Sequence, residues 1–132
     1  MKVITKDTDY AINALTCITA SGGRTVSVKE LSEELGISGP FLRKILQILT
    51  KKGVLKSSKG KNGGFSIANS TKKITVLDVL EIFQGPFKFN EHKIKGKTCK
   101  FLKTCLFKSK IDEIESKVME DLAEITIASL VR

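Results

Sequence analysis

Apolar side chains recur at helical spacing through Tyr10, Ala11, Ala14, Leu15 and Ile18, which predicts a helix over 7–20. Ser21-Gly22-Gly23 stops it. Ser27-Val28-Lys29-Glu30 sets a hydroxyl acceptor at an N-cap and a carboxylate three residues on, the pattern of a capping box. The short helix it opens contains Leu31 and Leu35 and ends at Gly36. Ser38 is expected to cap a third helix that runs to residue 52 and stops at Gly53. Pro40 sits in its first turn, where a missing N–H costs nothing. Phe41, Leu42, Ile45, Leu46 and Leu49 form its apolar face. Two short strands, 54–57 and 65–68, follow, with Asn62-Gly63-Gly64 supplying the positive φ of a hairpin turn between them. Thr75, with Asp78 three residues on, opens a helix through Val76, Leu80 and Phe83 that Gly85-Pro86 ends. Residues 87–110 show no sustained period, and a loop of that length in a compact domain is usually functional or disordered. A last helix over 108–130 carries Ile111, Ile114, Val118, Leu122 and Ile125 on one long stripe, part of which is expected to face a second copy.

A short helix, a tight turn and a second helix form a helix-turn-helix, and a β-hairpin beside it is a wing. The expected fold is mainly α with a small β-hairpin wing: a winged helix-turn-helix followed by a long C-terminal dimerisation helix. The expected organisation is a DNA-binding domain over 1–86, a cysteine-bearing sensor loop over 87–107 and a dimerisation helix over 108–132.

With 132 residues, 41% apolar and 28% charged, the chain is long enough to bury a core as one domain, or one domain plus an appended helix. No stretch approaches the apolar length that crosses a bilayer, and the first residues lack the apolar run of a secretion signal. The expectation is a cytoplasmic protein without a membrane partner. Three cysteines, an odd number, argue against a disulfide framework.

Charge changes the picture most. The net charge is +9, and residues 35–77 hold nine basic residues and no acidic one, while the remainder is balanced. A one-sign field confined to one segment is the footprint of a polyanion, whereas an ordinary solvated surface mixes both signs. On the third helix Pro40, Lys44, Gln47 and Lys51 share one stripe with Arg43 beside it, and Lys59, Lys61 and Asn62 fall at the hairpin tip. Cationic and amide side chains in that arrangement reach phosphates and base edges of double-stranded DNA. An amphipathic helix with a solvated face and a solvated hairpin explain each feature singly; the agreement of pattern and charge favours the nucleic-acid reading.

Four stretches together resemble the Rrf2 family of winged-helix transcription regulators over essentially the whole chain. They are the opening Met1-Lys2-Val3-Ile4-Thr5-Lys6-Asp7-Thr8-Asp9-Tyr10-Ala11, the Gly36-Ile37-Ser38 turn before Phe41-Leu42, the Gly60-x-x-Gly63-Gly64-Phe65 wing, and the Cys99-x5-Cys105 pair. The resemblance implies a homodimer on a pseudo-palindromic operator, dimer contacts along the last helix and an effector site in the loop. It places Ser38, Pro40, Phe41, Arg43 and Lys44 at the start of the recognition helix, with Lys61 and Asn62 at the wing tip. Lys59 stands where an arginine is common, and lysine lacks the guanidinium fork.

Cluster-binding relatives carry three loop cysteines at a repeated spacing. Here the last two are present, and Lys93 stands at the first position. His92, the only histidine, is beside that position, and Asp9 falls where some members supply a carboxylate from the first helix of the partner subunit. Cys99, Cys105, Asp9 and His92 are therefore the candidate ligands of an iron–sulfur cluster. A thiol sensor, favoured by the lysine-rich loop, and a loop that has lost its ligand set remain alternatives. Zinc fits less well, because the gap between the cysteines is wider than zinc sites use. Cys17, on the first helix, is expected to be a buried structural thiol.

The expected function is sequence-specific DNA binding, expected as repression, gated by chemistry at Cys99 and Cys105. A non-regulatory architectural DNA binder is the alternative. An enzyme using Cys99 and His92 as nucleophile and base is disfavoured, since no orienting group or oxyanion site accompanies them.

Overall fold

The computed structural model describes residues 2–69, 73–89, 93–94, 97–98, 100 and 104–132. Helix α1 (Lys6–Ala20) is opened by Thr5, whose hydroxyl accepts the Thr8 N–H at 3.3 Å. Helix α2 (Val28–Leu35) is opened by Ser27, whose hydroxyl accepts the Glu30 N–H at 3.1 Å. The Arg24 guanidinium, 3.1 Å from the Glu30 carboxylate, holds that carboxyl below its ordinary pKa, with help from the Ser27 backbone amide. Gly36 closes α2 in the left-handed region at φ +69°, where a Cβ would be strained.

Helix α3 (Gly39–Lys51) follows. Ser38 occupies its N-cap position, but its hydroxyl makes no cap bond, contrary to the sequence expectation. Pro40 removes the second helical N–H as a partner, which leaves the Phe41 N–H as the one a Ser38 cap could take. The core forms where α1, α2 and α3 meet: Ala14, Leu15, Leu42, Leu46 and Leu49 are fully buried. Cys17 is only half-buried beside this core, because it lies on the flank of α1 instead of its inner face; burial and the nearby Glu34 raise its thiol pKa.

Strands β1 (Leu55–Ser58) and β2 (Gly64–Ile67) pair antiparallel, with Leu55 opposite Ile67 and Ser58 opposite Gly64. The positive φ values fall on Gly60 (+102°) in the connection and on Gly64 (+155°), the first residue of β2, and not on Gly63. Gly64 also permits close approach: a Cβ there would stand 2.3 Å from the Val26 carbonyl oxygen. That proximity arises because Val26 and Phe65 exchange two backbone hydrogen bonds of 2.8 Å, tying the hairpin's root to the segment before α2.

Helix α4 (Val76–Gln84) opens on the expected Thr75 cap, which Asp78 completes into a capping box: Thr75 Oγ1 accepts the Asp78 N–H at 3.1 Å, and Asp78 accepts the Thr75 N–H at 3.0 Å. Thr75→Ala removes one half of it and is expected to cost about 1 kcal/mol, a shift of a few degrees in thermal unfolding followed by circular dichroism. The region read from sequence as irregular contains a small hairpin, β3 (Lys93–Ile94) against β4 (Lys97–Thr98).

Helix α5 (Leu106–Glu124) starts and ends earlier than the 108–130 expected. Its end has a tertiary cause. Ile125 turns extended, its carbonyl accepts the Val76 N–H at 2.9 Å, and the Ile127 N–H donates to the Ile74 carbonyl at 2.8 Å. Ile127, in a short 3-10 turn (Ile127–Leu130), is then buried in the core.

Candidate nucleic-acid interface and cysteine loop

The inner face of α3 is consumed by Leu42, Ile45, Leu46 and Leu49, so the opposite face is held rigidly outward. Ser38, Pro40, Arg43, Lys44, Gln47 and Lys51 are all exposed there. Thirteen residues make a rod of about 20 Å, a size that enters a major groove about 12 Å wide. Phe41 is partly exposed in the first turn, and its ring meets Tyr10 of α1 edge-on with centroids 5.6 Å apart. That contact fixes the start of α3 against α1. Tyr10 read as core from its spacing; its role as a buttress depends on a tertiary contact that periodicity does not show.

Lys59, Lys61 and Asn62 are exposed at the hairpin tip, and Lys56 is exposed on β1. Helix face and hairpin tip thus present cations from two elements that pack on one core. No helix among the described residues is long and apolar enough to cross a membrane.

The loop residues divide. Cys99 and His92 lie outside the described residues. Cys105 is half-buried at the N-cap of α5, where its Sγ accepts the Lys108 N–H at 3.4 Å. Lys108 forms an ion pair with Asp112 one turn further on. Asp9 is exposed in the first turn of α1, where Asn13 donates to its carboxylate at 3.4 Å and to its carbonyl at 2.9 Å. Among the described residues no three ligating side chains gather into a metal site.

One functional candidate escaped the sequence reading. Glu115, in the middle of α5, is buried at 5% exposure. Its carboxylate accepts the Phe89 N–H at 2.9 Å and pairs with the Lys88 ammonium at 3.3 Å. Its signal was a carboxylate four residues after Ile111 and three before Val118, on the apolar stripe itself.

The comparisons with known proteins agree with this architecture. The family model described as "Rrf2: Iron-dependent Transcriptional regulator" matches residues 4–132. A candidate HTH-type transcriptional regulator of Aquifex aeolicus is 32% identical over 124 residues, which span 92% of this chain and 86% of that protein. The structure of T. potens IscR superposes with a TM-score of 0.75 at 26% identity, covering 98% of this chain and 85% of that one. CymR, the global cysteine regulator of B. subtilis, superposes with a TM-score of 0.77 at 22% identity over 98% and 96% of the two chains, which speaks to the fold. The family is one of regulators and not of enzymes, which sets aside a Cys99–His92 nucleophile and base. A match over nearly the entire chain, with the winged helix in place, makes this protein a member of the Rrf2 family of DNA-binding transcriptional regulators.

Proposed function

We propose that the chain is a homodimeric repressor that reads a pseudo-palindromic operator and whose affinity is set by chemistry at Cys99 and Cys105. The observation that carries the DNA half is the exposed face of Arg43, Lys44 and Gln47 on a helix whose other face is locked in the core, within a segment free of acidic residues. Ser38 and the first-turn residues Pro40 and Phe41 approach the groove, with the uncapped Ser38 hydroxyl available to a phosphate. Lys59, Lys61 and Asn62 contact the flanking backbone or minor groove from the wing. Residues 1–86 form the DNA-binding unit, 87–107 the sensor loop, and the helix beyond it the dimer element, with exposed Leu106, Phe107 and Ile114 covered by a second copy. The site of action is the cytoplasm.

The sensing half rests on position. Cys105 is both a loop thiol and the cap of α5, so oxidising, alkylating or ligating its sulfur removes the acceptor of the Lys108 N–H and disturbs the head of the helix. Where an iron–sulfur cluster is held, Cys99 and Cys105 hold it, with Asp9 and His92 as the remaining candidates; the group supplies redox chemistry at the loop. Thiol chemistry alone acts on the same two sulfurs. The family description as iron-dependent favours the first.

Selection of binding sites from a random duplex library tests the DNA half. A single inverted-repeat consensus is expected. Recovery without a consensus identifies an architectural binder instead. Lys61→Ala is expected to weaken operator and random DNA alike and to flatten the dependence of log K on log salt by about one, measured by fluorescence anisotropy.

A further inference from the structure

Both ends of the cysteine loop are fastened to one helix. At its exit, Cys105 caps α5. At its entry, Lys88 and Phe89 are held by Glu115, ten residues further along the same helix, a separation of about 15 Å. Phe87 beside them is buried at 4% exposure and meets Phe89 edge-on at 5.4 Å. The entry contact resists opening. Among the described residues this buried carboxylate is compensated by the Phe89 N–H and the Lys88 ammonium, and withdrawing them exposes the charge to an apolar surrounding. The segment 87–89 and the middle of α5 therefore move as one body. Cys105 at the head of α5 and the segment 87–89 at its middle are thus held on the same helix.

We propose that Glu115 is the positioning residue that ties α5 to the segment 87–89 at the edge of the DNA-binding unit, so that a disturbance of α5 by chemistry at Cys105 reaches operator affinity only while the bridge from Glu115 to Lys88 and Phe89 stands. This inference rests on the reading that DNA affinity is gated at the loop. Glu115 touches neither DNA nor the reactive sulfur; it acts through the helix.

The test compares full-length wild type, Glu115→Met and Glu115→Gln, each in a Cys17→Ala background that leaves only the loop thiols. Methionine keeps the volume and removes both acceptors. Glutamine keeps one carbonyl oxygen for the Phe89 N–H. Operator dissociation constants are measured before and after iodoacetamide treatment, in which each thiolate sulfur forms a bond to carbon as iodide leaves. Thermal unfolding confirms that each variant is folded. Wild type is expected to change affinity by about tenfold on alkylation, Glu115→Met by less than about twofold, and Glu115→Gln by an amount close to wild type. A merely structural role shifts the unfolding temperature and leaves the ratio intact. Glu115→Met gated as strongly as wild type overturns the proposal while leaving loop gating in place. A wild-type Glu115 protein whose affinity is unmoved overturns the gating reading and this inference with it, and that result is seen before any Glu115 variant is made.

Discussion

Ile114→Glu is expected to convert the protein to a monomer and to lower operator affinity by about a hundredfold or more. Ile114 lies in the middle of α5 and is 49% exposed in the single chain, while Leu106 and Phe107 at the head of that helix are 80% and 66% exposed. Apolar surface of that extent on one element marks an interaction face. In a dimer a glutamate at the centre of that face is buried without a partner, which costs several kcal/mol. Each freed subunit then holds one half-site, and the gain from engaging two half-sites together disappears. Light scattering after size exclusion, paired with anisotropy on full and half operators, checks both parts. A dimeric variant with unchanged affinity removes α5 from the interface.

Lys44→Ala is expected to cost about 1–3 kcal/mol of operator affinity, ten- to a hundredfold, and much less on random DNA. Lys44 projects from the face of α3 opposite Leu42, Leu46 and Leu49, and it has no ion pair among the described residues to restrain it. Its ammonium is therefore free for a base edge. The contrast with Lys61→Ala is the informative part: a wing-tip cation bound to phosphate weakens every sequence alike. Equal losses on both DNAs for Lys44→Ala place that lysine on the backbone and move the reading face elsewhere along α3.

Much of this molecule was legible before its structure. Ser27, Gly36, Thr75 with Asp78, and Gly85 mark helix ends through local chemistry, and local chemistry is what a sequence displays. The exposed face of α3 was legible for the same reason, since helical period alone separates Lys44 and Gln47 from Leu42 and Leu46. What escaped is non-local. Nothing near Glu124 stops α5; the pairing of Ile125 and Ile127 with Ile74 and Val76 does, and those partners are about fifty residues away in the chain. Glu115 looked like one of several solvated acids on the last helix, and only the approach of Phe89 shows why a carboxylate belongs on an apolar stripe. The cysteine pair was legible as chemistry, yet Cys105 gained a second meaning as the cap of α5 only in three dimensions.

The most direct test of loop-gated DNA binding is an operator titration with protein purified without oxygen, alongside iron and acid-labile sulfide analysis of the same sample. The titration is then repeated after the loop has been stripped of any iron and its thiols blocked. The account predicts operator affinities that differ by about tenfold or more between the two states, with affinity for random DNA unchanged. Identical operator affinity in both states, whatever the iron content, contradicts it and leaves a repressor whose cysteine loop carries no signal.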